Sequence, residues 1–357
     1  MPLSPHVSEH FHRLYLIKGA LASTAIEGNT LTEEEVSKHL DKKLDLPKSK
    51  EYLAREVDNI LNACKKIGEE VLRGDNLDLT TSRIKQLNRL VLDGVPVEEG
   101  VSPGEIREGS VTVGRYLGAP AQDCDYLLNR LCDLLKDIQQ RNELGPIPTA
   151  IVSAIIAHLY LAWIHPFGDG NGRTARLMEF QILLGSGVPT PVAHLLSNHY
   201  NQTRVEYARQ LDQASRSGGD IIPFVTYAAQ GLVDGLHEQV DLIHAHQLTV
   251  AWRDLVHFRF RDKDSPRHTR QRYLVLDLGQ QGKPVPIVDI PKLTPRLAKA
   301  YATRSLRTLI RDVADVEKMG LIQSTPDGIR ARYEIMSIFL FKRKASPTDG
   351  SARPIVL

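Results

Sequence analysis

Apolar residues recur every three or four positions along most of the first 250 residues. This spacing collects them on one face of an α-helix, whereas a half-buried strand would alternate every second position. The pattern therefore predicts a mainly α-helical body. The helices that it predicts cover residues 52–72, 82–92, 126–138, 151–164 and 174–184.

Local signals place several helix ends. Thr32 followed three residues later by Glu35 is the capping-box pattern of a helix start, and Gly28 stands where the preceding helix would end. Pro148 suits the first turn of a helix, and Gly185 suits a helix C-terminus. These signals predict one helix that ends just before Gly28 and another that begins after Thr32.

One stretch departs from helical spacing. Residues 110–114, Ser-Val-Thr-Val-Gly, alternate in polarity and lie between Gly109 and Gly118. Alternation bounded by glycines is typical of a short strand or hairpin. We therefore expect a short extended segment or a hairpin on this otherwise helical body.

The C-terminal third shows a different order of elements. Helical spacing covers three segments, a short extended stretch lies between the first two, and the turn Pro326-Asp327-Gly328 separates two final extended stretches. Three helices followed by a hairpin is the order of a winged helix-turn-helix. The segments are 270–279, 284–290, 293–302, 304–319, 321–323 and 329–335.

Bulk composition is ordinary for a globular protein, with 42% apolar and 25% charged residues. The three cysteines, Cys64, Cys124 and Cys132, show no CxxC spacing, which argues against a zinc site or a disulfide framework and favours a reducing cytoplasm. The first residues lack the pattern of a signal peptide. The apolar stretch 148–164 is short for a membrane span and interrupted by polar residues, so we expect a core helix and no membrane partner.

The net charge of +2 hides a division along the chain. Residues 251–344 contain 20 Lys or Arg and 10 Asp or Glu, a local +10, whereas residues 1–250 contain 24 and 32, a local −8. This asymmetry predicts a basic C-terminal module on an acidic body. The charge asymmetry is a hint about the partners that the basic module binds, and it says nothing about catalysis.

Most of the candidate chemistry lies in residues 165–176, His-Pro-Phe-Gly-Asp-Gly-Asn-Gly-Arg-Thr-Ala-Arg, between two predicted helices. Gly168, Gly170 and Gly172 permit left-handed backbone that turns amide groups toward one centre, which favours a bound anion. The N-terminus of the outgoing helix adds free amides and the positive end of its dipole. The backbone of this loop therefore predicts a phosphate site.

Side chains add charge and a base to the same loop. Arg173 and Arg176 lie three residues apart in the first turn of the outgoing helix, so both can reach one polyphosphate. Cations at a helix N-terminus oppose the dipole, and a bound anion compensates for this cost. Asp169 offers a hard oxygen ligand for Mg²⁺, and His165 is the residue type whose ordinary pKa suits a general base near neutral pH.

The loop resembles the Fic family signature HxFx(D/E)GNGRxxR at every defined position. The resemblance implies that His165 deprotonates a Ser, Thr or Tyr hydroxyl of a target protein and that Asp169 holds Mg²⁺ between the α- and β-phosphates of ATP. The hydroxyl would then attack the α-phosphorus in line, leaving AMP on the target and releasing pyrophosphate. The nucleotide-binding residues that it implies are Gly168, Asp169, Gly170, Asn171 and Gly172, with Arg173 on the β-phosphate and Arg176 on the γ-phosphate.

The resemblance extends over roughly residues 9–235 and assigns a flap and an adenosine contact. The extended segment after Pro103 resembles the hairpin that covers the active site, and its edge would pair with an extended stretch of the target protein. Thr203 and Tyr207 share a helix face where relatives contact adenosine, although Thr203 stands where many relatives have Asn. For Tyr207, core packing is an equal alternative. The flap residues are Val111, Thr112, Val113 and Gly114.

A second motif stands near the N-terminus. Ser23 and Glu27 lie four residues apart, so they share one helix face, and a glutamate at a helix C-terminus favours a cationic partner. The stretch resembles the inhibitory pattern (S/T)xxxE(G/N) of the same family. This implies an inhibitory helix over about residues 20–28 whose Glu27 pairs with Arg176 and keeps the γ-phosphate out of its productive position. Whether the same carboxylate supports removal of AMP stays open.

Together these observations predict a mainly α Fic fold with a β-hairpin flap, followed by a small winged-helix domain. The predicted function is autoinhibited transfer of AMP from ATP, with Mg²⁺, to target proteins or to the chain itself. The alternative is a DNA-binding regulator whose Fic domain senses nucleotides. A minor alternative is transfer of UMP or phosphocholine. DNA contact and protein contact or homodimerisation are equal alternatives for the basic module. The predicted domains are 1–100, 101–240 (catalytic core), 241–268 (connecting helix or linker), 269–345 (winged helix) and 346–357 (tail).

Overall fold

The computed structural model describes residues 5–113 and 116–336. The chain forms two compact units that divide between Glu238 and Gln239. The division falls inside one long helix, so the predicted connecting segment 241–268 begins within a helix. The predicted flap residue Gly114 and the predicted tail lie outside the described residues.

Within its described residues, the first unit is helical apart from one small hairpin and connecting loops, which confirms the predicted mainly α fold. Each helix predicted from apolar spacing is present, with ends that shift by a few residues. The helices that begin in this unit are α1 (Pro5–Ala25), α2 (Glu33–Leu40), α3 (Glu51–Arg73), α4 (Thr81–Val91), α5 (Cys124–Arg141), α6 (Pro146–Ile164), α7 (Asn171–Gly185), α8 (Thr190–Ala193), α9 (Leu195–Gln202), α10 (Arg204–Arg216) and α11 (Ile222–Arg259).

The predicted capping box sets the start of α2. The Thr32 side chain accepts a hydrogen bond from the Glu35 backbone amide, and the Glu35 carboxylate accepts one from the Thr32 amide at 2.8 Å. Before it, α1 ends at Ala25, and the chain turns through Gly28, whose φ of +100° favours glycine. The segment that carries Glu27 is therefore a tight turn at the end of α1.

Helix α6 packs against α5 and α7. It is apolar on every side, with a mean hydropathy of 1.8 over its most apolar window, and such a helix belongs in a core. By length and composition its 19 residues could also cross a membrane. In this structure 61% of that window is buried within the protein.

The alternating stretch before residue 114 forms the predicted hairpin. Strand β1 (Thr112–Val113) pairs antiparallel with β2 (Tyr116–Leu117), so that Thr112 lies opposite Leu117. The hairpin lies between α4 and α5 in sequence. Arg107, which precedes it, donates hydrogen bonds both to the carbonyl of Ala119 after it and to the carbonyl of His165 at the end of α6. The hairpin is therefore placed beside the loop that follows α6.

Up to residue 336, the second unit contains three further α-helices and a hairpin in the predicted order. The stretch 284–290 is extended only at Val285, which bridges to Ile329, and residues 287–292 form a 3-10 helix instead. The last strand also ends earlier than predicted, because Tyr333 packs on Trp252 and donates to the Gly279 carbonyl. The elements are α12 (Pro266–Leu278), α13 (Pro295–Tyr301), α14 (Leu306–Lys318), β3 (Ile322–Thr325) and β4 (Gly328–Ala331).

A candidate active site at the start of helix α7

His165 terminates α6 in a conformation that side-chain-bearing residues rarely adopt. Its φ of 48° and ψ of 57° are left-handed, and its amide donates to the Leu161 carbonyl as the last bond of the helix. Such strain is typical of functional sites, where surrounding contacts hold it in place. The Nδ1 atom lies 3.3 Å from the Ala162 carbonyl, a contact that favours the tautomer with Nδ1 protonated and Nε2 free to accept a proton.

The surroundings of His165 keep its imidazole neutral. Burial lowers the pKa of His165 below the usual 6.5, and the Arg107 charge acts in the same direction. The Ala162 carbonyl and the carboxylates of Glu27 and Asp169 oppose this shift without reversing it. At neutral pH the side chain is therefore in the form that a general base requires.

The glycine-rich loop is braced by two asparagines. The Asn171 side chain accepts from the Phe167 amide at 3.0 Å and donates to the Phe167 carbonyl at 2.8 Å. Asn88 on α4 is fully buried and donates to the Asp169 carbonyl at 2.9 Å. Gly170 has a φ of +76°, and a Cβ there would lie 3.0 Å from Asn88. The side chain of Asn171 thus holds the shape of the loop. Only the backbone amide of Asn171 is therefore available for the predicted contact with phosphate.

Arg173 is buried beneath the loop between two carboxylates. It is 4% exposed, and its Nη1 and Nη2 atoms donate to Glu56 at 2.8 Å and to Asp169 at 3.0 Å. Its Nε atom is buried without a hydrogen-bond partner. A buried guanidinium with a spare N–H group is suited to a further anion.

Arg176, one turn later, contacts the predicted inhibitory motif. Its Nε donates to the Ser23 hydroxyl at 3.1 Å, and its Nη2 donates to the Ser23 carbonyl at 2.7 Å and to Glu27 Oε1 at 2.6 Å. A Cβ on Gly172 would lie 2.2 Å from that carboxylate oxygen, so the close approach requires glycine. The structure therefore brings Arg176 into contact with both predicted inhibitory residues, Ser23 and Glu27. The Nη1 atom of Arg176 is buried and has no hydrogen-bond partner.

Glu27 is ionised in this arrangement. Its side chain is 35% exposed, and burial of the remainder tends to raise its pKa. The charge and hydrogen bond of Arg176, with smaller contributions from Arg173 and His165, outweigh burial and hold the pKa of Glu27 below its usual value. The contact with Arg176 is thus a charge-assisted hydrogen bond at neutral pH.

A cavity of about 490 Å³ opens beside the loop, and it contains Tyr207 but not Thr203. The Thr203 hydroxyl instead bonds to the His199 carbonyl and to Tyr227, at the break between α9 and α10. A cavity of about 510 Å³ elsewhere in the unit contains none of the predicted site residues. The cavity beside the loop is lined by Ile26, Glu27, Tyr116, Ala162, Trp163, His165, Asn171, Gly172, Tyr207, Ala208, Leu211, Asp212 and Ser215.

Tyr207 packs in the core and also lines the cavity, so its position is compatible with both alternatives, core packing and an adenosine contact. It is 8% exposed, and its hydroxyl lies 2.8 Å from His158 Nε2 in the core. Its ring packs against Tyr200 with centroids 4.8 Å apart. Because the hydroxyl is engaged internally, the ring is the part that a ligand in the cavity would meet.

The oxygen ligands suit a metal that arrives with phosphate. Asp169 is 40% exposed in its side chain, and carboxylate oxygen is the donor that Mg²⁺ prefers. Within residues 5–113 and 116–336, no group of three His, Cys, Asp or Glu residues is arranged to hold a metal ion. A single carboxylate fits Mg²⁺ that is bound mainly by phosphates and water.

Comparison with known proteins agrees with this geometry. Residues 78–183 match the sequence model of the Fic/DOC family. The chain carries a domain of the Fic/DOC family. The matched region contains the two bracing asparagines Asn88 and Asn171, the flap and the whole of the glycine-rich loop of this Fic domain.

Named relatives extend the similarity beyond the Fic domain. Protein adenylyltransferase fic-1 of Caenorhabditis briggsae is 31% identical over 208 residues, which are 58% of this chain and 38% of that protein. Protein adenylyltransferase Fic of Nematostella vectensis is 29% identical over 232 residues, or 64% and 49% of the two chains. The chain thus spans less than half the length of these relatives.

Solved Fic structures share the fold. Fic-1 (residues 134–508) of C. elegans superposes with a TM-score of 0.53 at 28% identity, covering 64% of this chain and 63% of that one. A Fic family protein from Desulfovibrio desulfuricans G20 has a TM-score of 0.55 at 23% identity and covers 92% and 89%. The second likeness is one of fold alone, and it extends over nearly the whole chain.

Proposed function

We propose that this protein transfers AMP from ATP to hydroxyl side chains of target proteins. The observation that carries the proposal is the convergence of a neutral His165 and two buried guanidinium groups with unpartnered N–H atoms at the N-terminus of α7. The names of the relatives that match the Fic domain support the same chemistry.

In the proposed reaction, the chain positions a triphosphate and neutralises its charge. The backbone amides of Gly170, Asn171 and Gly172 and the Arg173 guanidinium would contact the phosphates, and Arg176 would contact the terminal phosphate. Mg²⁺ bound by Asp169 supplies further charge neutralisation when present. His165 Nε2 takes the proton from the target hydroxyl, whose oxygen then bonds to the α-phosphorus as the bond to pyrophosphate breaks.

We further propose that Glu27 restrains this activity. Arg176 is engaged by Ser23 and Glu27, and the carboxylate occupies space directly above Gly172, where the phosphates would enter. Withdrawal of Glu27 would free Arg176 for the terminal phosphate. The two arrangements exclude each other because both use the same guanidinium.

The test is transfer of label from ATP by Glu27→Gly. The expected gain over the wild type is about tenfold to a hundredfold, the range that loss of one hydrogen bond to a charged group produces. Incubation with labelled ATP, Mg²⁺ and cell lysate, followed by mass spectrometry of the labelled bands, measures transfer and identifies targets. Glu99→Gly, an exposed carboxylate in a turn, is the matched control and should leave the rate unchanged.

Two outcomes would reject these proposals. If Glu27→Gly transfers no more label than the wild type, Glu27 does not restrain the enzyme. If Glu27→Gly with His165→Ala retains transfer, His165 is not the base. Labelled UTP and a phosphocholine donor, run in parallel, test the minor alternatives of transferring UMP or phosphocholine.

We propose nucleic-acid binding as a second function of the C-terminal unit. Arg304, Arg307 and Arg311 are exposed at and along α14 and make no ion pair with the described residues, whereas Arg330 pairs with Glu334 at 2.5 Å. Arg304 precedes the first residue of α14, and Arg307 and Arg311, four residues apart, share one face of that helix. Exposed arginines suit phosphate contacts, whose affinity falls steeply with salt. A mobility-shift measurement with duplex DNA at two salt concentrations decides the matter, since absence of binding at low salt rejects DNA in favour of protein contact.

A further inference from the structure

One guanidinium group joins three backbone carbonyls around the active site. Arg107 donates from Nε to the His165 carbonyl at 2.8 Å, from Nη1 to the Gly109 carbonyl and from Nη2 to the Ala119 carbonyl. Gly109 and Ala119 lie on opposite stems of the β1–β2 hairpin. A single planar group therefore ties both stems of the flap to the residue that carries the proposed base.

The backbone of the same segment reinforces this connection. The Arg107 amide donates to the Pro166 carbonyl at 3.0 Å, and Ile106 forms an antiparallel bridge with Phe167. A Cβ on Gly118 would lie 3.2 Å from Arg107 Nη2 and 3.3 Å from His165 Cβ. The flap stem, the guanidinium and the end of α6 are thus packed at van der Waals distance.

The partners of Arg107 differ from those of an ordinary structural arginine. Within the part of the chain that the structure describes, it makes no ion pair; its oxygen acceptors are three neutral carbonyl groups, and its Nη2 also lies 3.8 Å from Cys124 Sγ. Donation in three directions at once uses the rigid fork of a guanidinium, which the single ammonium of lysine lacks. The His165 carbonyl that it holds belongs to the residue with left-handed backbone, so this bond helps to maintain the strained conformation that aims the imidazole.

We propose that Arg107 is a positioning residue that couples the flap to His165, so that target docking on the flap and presentation of the base act together. The proposal rests on the proposed function. Arg107 does not contact the phosphate-binding residues of the loop, so its loss would impair transfer to a target protein without impairing ATP binding.

The test compares Arg107→Gln and Arg107→Lys in the Glu27→Gly background. Misplacement of a catalytic group by about 1 Å costs about 100-fold, and we expect a fall in kcat of about that size for Arg107→Gln, with the Kd for ATP within about twofold of the parent. Arg89→Gln is the control, because Arg89 is exposed and pairs only with Glu105 beside the same segment. Its kcat should equal that of the parent.

The pH profile separates positioning from charge. The charged groups facing the imidazole are Arg107 from the flap stem, Asp169 from the loop and, in the wild type, Glu27 from the end of α1. Arg107→Gln removes a cation, so the acid limb of kcat/KM should move to higher pH. Arg107→Lys keeps the cation, so its acid limb should stay in place while its kcat remains below that of the parent.

Hydrogen exchange gives a readout that does not depend on activity. Arg107→Gln should speed amide exchange in peptides covering residues 107–112 and 116–122, where Gly118 donates to the Val111 carbonyl, and should leave α3 unchanged. If Glu27→Gly shows no transfer, the proposed function fails, but this measurement still tests the coupling. A kcat within twofold of the parent, a loss of ATP affinity parallel to the loss of kcat, or unchanged exchange would each overturn the role of Arg107.

Discussion

Arg173 and Arg176 lie one turn apart on the same helix, are buried to a similar degree and carry the same charge, but they are held in different ways. The partners of Arg173 are Glu56 on α3 and Asp169 in the loop, and neither of them lies on α1. The partners of Arg176, Ser23 and Glu27, lie on or directly after α1. Arg173 is therefore preorganised, whereas the position of Arg176 depends on one helix end.

The difference between the two arginines indicates how a site can contain every residue that the proposed reaction needs and still have its activity restrained. A preorganised cation contributes to charge stabilisation without rearrangement, which is what phosphoryl and nucleotidyl transfer require. A cation held by a removable segment can be made available or withheld. Under the proposed function, activity would be controlled by the end of α1 and the turn after it while the loop stays intact.

The largest effect is expected from Arg173→Gln in the Glu27→Gly background. Removal of one preorganised cation should lower the transfer rate by about 100- to 1,000-fold. The change also leaves the Glu56 carboxylate buried without its cation, which should lower the free energy of unfolding by about 3 to 5 kcal/mol. Initial rates and chemical denaturation measure the two effects. A rate within tenfold of the parent would contradict the preorganised role.

Gly19→Ala tests whether the seating of α1 controls Arg176. A Cβ at residue 19 would lie 2.1 to 2.8 Å from ring and Cβ atoms of His194, which is 3% exposed and cannot easily move. Overpacking of this kind costs about 1 to 3 kcal/mol, so we expect transfer by the otherwise wild-type chain to rise about fivefold. Gly68→Ala, where a Cβ meets open space, is the control. Unchanged transfer despite a lower Tm would show that α1 can shift without releasing Arg176.

Ser23→Ala should release Arg176 more weakly than Glu27→Gly does. It removes one neutral acceptor at 3.1 Å but leaves the Ser23 carbonyl and the Glu27 carboxylate in place. Because its acceptor is neutral, this hydrogen bond is weaker than the ion pair with Glu27, and a contribution of about 0.5 to 1.5 kcal/mol corresponds to a rise in transfer of about twofold to tenfold. Rates of the two single variants, measured side by side, give the ranking. A larger gain from Ser23→Ala would mean that the hydroxyl, and not the carboxylate, is the main restraint.

Acidification should not release Arg176 near neutral pH. Because the pKa of Glu27 is held below its usual 4.5, the contact contributes its full stabilisation above 4.5 and loses it only as pH falls through the lowered value. We therefore expect no rise in wild-type transfer between neutral pH and 4.5. Rates that climb on acidification within that range would show that another group controls the contact.

In the Glu27→Gly variant, His165 should remain unprotonated, and therefore able to act as a base, at pH values somewhat below neutral. Burial lowers the pKa of His165 below 6.5, and the imidazole is lost as a base only when pH falls through that lowered value. The acid limb of kcat/KM for Glu27→Gly should accordingly lie below pH 6.5. A limb above 6.5 would assign the base to another group or environment.

Helix positions followed closely from sequence because they depend on local spacing. Predicted helix 52–72 is α3 (Glu51–Arg73), and predicted helix 82–92 is α4 (Thr81–Val91). The 3-10 helix that follows Ala331 was predicted as strand, because its residues alternate like a strand but pack through Tyr333 onto Trp252. Spacing therefore predicts local backbone well, and it fails where a distant contact decides it.

Sequence by itself determined which chemical groups stand in the loop and in the motif that contains Ser23 and Glu27. The residues His165, Asp169, Arg173 and Arg176 lie close together in sequence, from the end of α6 through the loop to the start of α7, so their proximity needs no knowledge of the fold. Their type and spacing were sufficient to predict a base, a metal ligand and two cations. The partner of Arg176, Glu27, was found only because its motif is itself a short contiguous pattern.

Only the tertiary structure decided which remote side chains support that chemistry. Glu56 is 117 residues from Arg173, and Asn88 and Arg107 also reach the loop from other segments. Each looks in sequence like an ordinary polar residue, because burial and hydrogen-bond direction depend on how helices pack and leave no periodic trace. Thr203, by contrast, stands at a position for which the resemblance implies an adenosine contact, yet the break between α9 and α10 turns its hydroxyl toward Tyr227.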